Sequence, residues 1–343
     1  MIETSITSGW QTIGHERVVS KLTNHILSGQ LRHSYLFSGP PSIGKNTLAN
    51  DFAKAICCID SLGDPCGLCR PCKLISASKH PDVVEISPRV SGKAIVQKKL
   101  SVDEIRNTIY RFTLNPVELD RRIAIINNFE TAGRMASDAL LKTLEEPPGD
   151  SIFIISTNQE SSVADTILSR CVVFNLSPTP FPVVEQALIK VWGATKQEAH
   201  FLARVSGGRI GWAIKLLTDN KALESRSQKL VEMLELLSFS RVRRFAYVED
   251  LRKDRQQAVT TLALWEGLWR DVMITSVDTN GTEISNIDYK TEIHEVASQV
   301  DITNIVKTLS AIHKTQRALH KNANARLALE VLMLQIPLVR HVN

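Results

Sequence analysis

No stretch of this 343-residue sequence comes near the ~20 consecutive apolar residues that a bilayer-spanning helix requires. The opening residues, Met1-Ile2-Glu3-Thr4-Ser5, have neither the basic start nor the apolar run of a secretory leader. These absences predict a cytoplasmic protein without a membrane partner. Charge of one sign is also scarce. The 41 Lys and Arg outnumber the 36 Asp and Glu by only five, too little to argue for nucleic acid by itself. Strong internal repeats and low-complexity tails are missing too. In a reducing compartment six cysteines do not make a disulfide framework, so those that cluster point to metal.

What is present is an ordinary globular composition, 43% hydrophobic and 22% charged, on a chain long enough for two or three domains. Short apolar runs at 35–38, 83–86, 123–126, 152–155 and 172–174 read as five strands, most of them buried on both faces. Helical patterns alternate with them. One covers 47–59. Another opens on a capping-box pattern, Ser101 to Glu104, with Ile105, Ile109 and Phe112 on one face. A third carries Met135, Ala139, Leu140 and Leu144 until Pro147-Pro148 stops it. Such alternation implies a parallel sheet covered by helices. After the Pro-rich stretch 177–182 the pattern is almost wholly helical. Leu262, Trp265, Trp269 and Val272 share one face, as do Leu327, Val331 and Leu334. The expectation is an α/β domain over 1–177, a small helical domain over 178–222 and a larger helical domain over 223–343.

Gly39-Pro-Pro-Ser-Ile-Gly44-Lys45-Asn46-Thr47 follows a strand and opens a helix, the setting of a phosphate-binding loop. Glycines let backbone N–H groups approach phosphate oxygens, and the Lys45 ammonium neutralises the terminal phosphates. The residue that should carry the Mg²⁺-binding hydroxyl is Asn46, and Thr47 points ~100° away around the helix. The carboxylate that should hold Mg²⁺ and polarise water belongs at the end of the strand 123–126, where Asn127 and Asn128 stand. Glu130 is acidic but lies beyond the strand tip. ATP binding stays open on this reading, while loss of hydroxyl and carboxylates together argues against hydrolysis.

Cys57, Cys66, Cys69 and Cys72 place four thiols within sixteen residues, with Gly63, Pro65, Gly67 and Pro71 supplying turns. Two-residue gaps let paired thiolates face one ion, so this spacing predicts a tetrahedral, structural Zn²⁺ site with no open position. Cys58 competes for the first place, which spacing assigns to Cys57. Cys171 is remote and reads as an ordinary buried residue.

Together these parts resemble the clamp-loader AAA+ family, and within it the delta-prime subunits of bacterial DNA polymerase III. The resemblance rests on the segment from Leu31 through His33 to Gly39, the degenerate phosphate loop, the cysteine insertion (57–72) and His80-Pro81-Asp82. Ala139 through Pro148 and Ser169-Arg170-Cys171 complete it. It is specific over the first ~215 residues and general thereafter. It implies an AAA+ domain, a helical lid and a C-terminal helical collar for assembly.

It also implies a subunit of the polymerase holoenzyme with no ATPase of its own. Arg170 would be an arginine finger on the ATP of a neighbouring gamma/tau-type subunit. Other loader subunits, delta-like ones included, the sliding clamp and primer–template DNA would be its partners. The first-sensor position falls on Thr157 or Asn158, and the second-sensor arginine aligns with Gly211, with Arg209 nearby. Two other classes stand beside this reading: an active gamma/tau-like ATPase using Glu130, and a zinc-dependent DNA-binding module. Against the latter, Arg70, Lys73 and Lys79 are the insertion's only nearby cations.

Overall fold

The computed structural model describes residues 9–88, 100–277, 284–321 and 323–339, which fall into two compact units. The first comprises 1–187 with 208–212; the second comprises 188–207 with 213–343.

In the first unit, α1 (Glu16–Leu27) leads into β1 (Ser34–Ser38), the phosphate-loop segment and α2 (Lys45–Cys57). The cysteine insertion ends in α3 (Arg70–Ser76) before β2 (Val83–Ile86), α4 (Val102–Phe112) and β3 (Arg122–Ile126). Then come α5 (Arg134–Glu145), β4 (Ser151–Thr157), the short α6 (Asp165–Leu168) and β5 (Val172–Asn175). The five strands form one sheet in the order β2-β3-β4-β1-β5 with every pairing parallel, as the alternating pattern predicts.

Period-two alternation divides the core between the two faces. Tyr35, Phe37, Ile123, Ile125, Ile152 and Ile154 pack with Phe52 of α2 on one side. Leu36, Ala124, Ile126, Phe153 and Ile155 pack with Phe112 and Leu140 on the other. Because both faces are covered, the strands read as continuous apolar runs.

The second unit holds the end of α7 (Phe181–Trp192), α8 (Lys196–Val205) and most of α9 (Ile210–Thr218). It continues with α10 (Asn220–Ser238), α11 (Arg241–Leu251) and α12 (Arg255–Val277). The chain closes with α13 (Lys290–Gln299), α14 (Ile302–His320) and α15 (Ala325–Gln335). Leu262, Trp265, Trp269 and Val272 of α12 are all buried in its core. Arg244 of α11, itself buried, donates to the carbonyls of Leu236, Leu237, Met333, Ile336 and Pro337. One guanidinium therefore satisfies orphan acceptors at the ends of both α10 and α15.

Three local expectations change. Leu327, Val331 and Leu334 are exposed, and α15 buries Leu329, Leu332 and Met333 instead. This helix is apolar on more than one stripe, so periodicity alone does not choose the inward one. Met135 likewise faces out while Leu140 and Leu144 face in. Ser101 caps α4 through the N–H of Asp103 rather than Glu104, and a full capping box occurs at Thr195 with Glu198.

Candidate functional site

The phosphate loop forms where expected, between β1 and α2. Gly44 takes a left-handed φ of 101° at the start of α2. Gly39 is required by close approach: a Cβ there would lie 2.4 Å from the Leu176 carbonyl oxygen.

The Lys45 ammonium and several of the loop's carbonyls are committed to this chain. Lys45, nearly buried, donates from Nζ to the carbonyls of Gly39 and Pro40, each at 2.7 Å, and to Asn158 Oδ1 at 2.8 Å. Burial lowers its pKa to about 8, a shift that the Glu130 carboxylate partly opposes. The Ser42 carbonyl accepts the N–H of Gly211 at 2.8 Å. The Ile43 carbonyl accepts from His15 Nε2 at 2.9 Å, and burial holds that imidazole below its ordinary pKa. Asn46 and Thr47 are exposed on the first turn of α2.

At the tip of β3, Asn127 is wholly buried. Its amide donates to Glu85 Oε1 at 2.8 Å and to Ser87 Oγ, while its oxygen accepts from Ser156 Oγ. Asn128 sits at φ 54°, a left-handed conformation that Asn tolerates. Glu130 accepts from the backbone N–H and the amide of Asn158 and from the amide of Asn128. Of the two first-sensor candidates, Asn158 therefore reaches Lys45, whereas Thr157 hydrogen-bonds within its own turn to Gln159. Gly211 contributes only backbone here, and the Arg209 carbonyl accepts from Trp212 N–H in the turn that opens α9.

Arg170 lies in the turn between α6 and β5, away from this loop in sequence, with 34% of its side chain exposed. Its Nη1 donates to the Thr166 carbonyl at 2.7 Å and its Nη2 pairs with Glu145 Oε1 at 2.7 Å. From beneath, the buried Ser34 Oγ donates to the Arg170 carbonyl. Burial pushes the neighbouring Cys171 thiol up to about 11, even with a hydrogen bond to Ser34.

The cysteine cluster corrects one ligand. Cys58, Cys66, Cys69 and Cys72 bring their sulfurs within 4.8 Å of one another, and Cys57 is not among them. Cys57 ends α2 with its side chain in the sheet-facing core beside Phe52 and Ile75. Burial pushes its thiol up to about 12. Cys58 leaves the helix with extended backbone, φ −67° and ψ 123°, and so turns toward the other three.

The donor set fits a tetrahedral ion. Four sulfurs at ~2.3 Å from Zn²⁺ would stand ~3.8 Å apart, and Cys58 and Cys69 are 4.0 Å apart. Backbone N–H groups already point at these sulfurs, from Cys66 to Cys58 and from Leu68 and Cys69 to Cys66. Such donors favour thiolate over thiol.

Two features hold the insertion in place; the contacts of Gly9 and Trp10 had no sequence signal, while His80-Pro81-Asp82 could be read as a motif but not for its partners. Asp64 accepts from Gly9 N–H at 2.7 Å, and Trp10 Nε1 donates to the Gly63 carbonyl. The buried Asp82 of the His80-Pro81-Asp82 motif accepts three backbone N–H bonds, from Val117, Glu118 and Leu119, at 2.7–3.0 Å. Glu118 in turn pairs with Arg70 at 2.8 Å, next to Cys69 of the sulfur cluster.

Residues 14–180 match the family model for the DNA polymerase III delta subunit, and residues 220–337 match that for its C-terminal domain. The delta' subunit of Bacillus subtilis DNA polymerase III is 28% identical over 325 residues, covering 93% of this chain and 95% of that one. The delta' subunit of Pseudomonas aeruginosa is 34% identical over 145 residues, 42% of each chain. The tau subunit of Bacillus subtilis is 36% identical over 164 residues, 48% of this chain but only 28% of that longer protein. Among the described residues, no helix is long and apolar enough to cross a membrane. With both parts of the delta architecture matched in order, and a relative aligned almost end to end, the chain belongs to the DNA polymerase III delta subunit family.

Proposed function

We propose that the chain acts as a delta-prime-type stator of the DNA polymerase III clamp loader. In this reading it does not hydrolyse ATP, presents Arg170 to the nucleotide of a neighbouring gamma/tau-type subunit, and helps to place the sliding clamp on primed DNA. The observation that carries the reading is the Lys45 ammonium. It is nearly buried and has three acceptors from its own chain where an active subunit would offer it to phosphate. Amides at the tip of β3 support it. A neutral amide cannot take a proton from water, and Asn127 already donates to Glu85.

Arg170 suits a role in trans. It is permanently charged, partly exposed and close to the sheet edge, and fingers of this kind contribute ~10³–10⁵ in rate where they act. The four-sulfur cluster suits Zn²⁺, which would cross-link the insertion and stabilise the fold without an open position for chemistry. Residues 178–222 would act as a lid, and 223–343, all within the second unit, would supply the collar surface for assembly. Work on primed DNA with delta-like and gamma/tau partners would place the protein in the cytoplasm, at the replisome.

An active gamma/tau-like ATPase would need Glu130 as its acid, but that carboxylate is occupied by Asn158 and Asn128. A zinc-dependent DNA reader would need free cations on the insertion, whereas Arg70 is paired with Glu118. Radiolabelled ATP turnover by the isolated protein tests the reading. Turnover no higher than that of Lys45→Ala is expected, and turnover abolished by that substitution would overturn it.

A further inference from the structure

Arg170 is held at three points, and the nature of each hold differs. Ser34 Oγ, inside β1, pins its backbone carbonyl to the rigid sheet. The Thr166 carbonyl takes one hydrogen of Nη1, and the Ser169 hydroxyl lies 3.3 Å from the same nitrogen. Glu145 Oε1 forms an ion pair with Nη2 at 2.7 Å. Glu145 is the last residue of α5, and Pro147-Pro148 follow the C-cap Glu146, so the helix cannot continue past the end that presents this carboxylate.

The pair is solvent-exposed, 34% for Arg170 and 44% for Glu145. Exposed ion pairs contribute little to stability, so folding alone gives Glu145 small reason to be there. Its effect is on direction. A guanidinium has five N–H donors in one plane. Thr166 and Ser169 both accept from Nη1, Glu145 is ion-paired with Nη2, and neither Nη2 nor Nε makes a hydrogen bond among the described residues. Hydrogen bonds hold the Nη1 side and the ion pair steers the plane, while Nη2 and Nε keep donors for an incoming oxyanion.

We propose that Glu145 is a positioning residue for Arg170, bracing the guanidinium so that its unused donors face the terminal phosphate of ATP held by a neighbouring subunit. This rests on the finger role given to Arg170 above. A pre-set fork loses less rotamer freedom on meeting phosphate, and small errors in placing a charged group are felt steeply in rate.

The test is steady-state ATP turnover, with clamp and primed DNA, of the loader reconstituted from full-length subunits. Wild type is compared with Arg170→Ala, Glu145→Ala, Glu145→Gln and the Arg170→Ala/Glu145→Ala pair, with assembly checked by gel filtration. Arg170→Ala should remove a defined share of turnover. Glu145→Ala should cut that same share about tenfold through kcat, with the KM for ATP unchanged. Glu145→Gln, whose amide oxygen still accepts, should restore part of it, and the double variant should match Arg170→Ala.

If Arg170→Ala removes the share but Glu145→Ala and Glu145→Gln leave it intact or raise it, the positioning role is overturned and the finger stands. A further loss when Glu145→Ala is added to Arg170→Ala would mean that Glu145 acts elsewhere, and would also overturn it. Unchanged turnover in Arg170→Ala would remove both the finger and its brace.

Discussion

The backbone N–H of Gly211 donates to the carbonyl of Ser42 at 2.8 Å, so the start of α9 is fastened to the middle of the phosphate loop. Gly211 serves here as a backbone latch. A Cβ at Gly211 would stand 3.0 Å from the Ser42 carbonyl oxygen, tighter than ordinary packing.

Gly211→Ala is therefore expected to destabilise the protein by about 1–3 kcal/mol, the usual range for overpacking a fitted contact. Urea unfolding followed by circular dichroism measures this. A variant as stable as wild type would show that the loop gives way freely and that the latch does not constrain it.

Metal content distinguishes the two adjacent cysteines. Cys58→Ser should lose most of the bound zinc, because it removes one of four clustered sulfurs, while Cys57→Ser should keep it. Inductively coupled plasma mass spectrometry of the purified variants reads this directly. Chelation of the wild type should also lower its melting temperature, since metal affinity and folding are linked. Equal zinc in both variants would return the first ligand position to dispute.

Asp82 offers a test in acid. Its burial alone would raise the carboxyl pKa, but the N–H donors of Glu118, Val117 and Leu119, with Arg122 nearby, overcome this and hold it below the ordinary value. A depressed folded-state pKa means stability that is present above the unfolded pKa near 4 and is lost as pH falls through the lower folded value. Asp82→Ala should cost about 3–5 kcal/mol at neutral pH, because it leaves three backbone N–H donors without their acceptor and Arg122 without its carboxylate. The gap to wild type should narrow below about pH 4. A gap that does not change with pH would mean that the lost contacts are not electrostatic.

Lys45 gives a slope of the same sign in the alkaline range. Its folded pKa of about 8 lies below the unfolded value, so the unfolded chain binds more protons between the two. Stability from this group should rise as pH climbs from about 8 toward 10.5. Measured against Lys45→Met, wild type should gain on the order of 1–3 kcal/mol between pH 7 and pH 10. No relative gain would indicate that Lys45 is solvated and available to phosphate, which would count against the filled-loop reading.

Much of this was written in the chain. Five apolar runs of strand length, separated by helical patterns, specify a parallel sheet because strands buried on both faces must be apolar throughout. The glycines of the phosphate loop, the amides at 127–128 and the clustered cysteines could be read in the same way, since each depends on residue type at short spacing. The tertiary structure decided what depends on direction and on distant partners. It chose Cys58 over Cys57, because the helix ends between them and one side chain packs in the core beside the sheet while the next joins the other three sulfurs. It chose the buried stripe of α15, because two apolar stripes competed and only the neighbouring helices could select one. It also brought His15, Asn158 and Gly211 to the loop and Glu145 to Arg170, partners separated from their targets by 25 to 169 residues, a relation that no local pattern encodes.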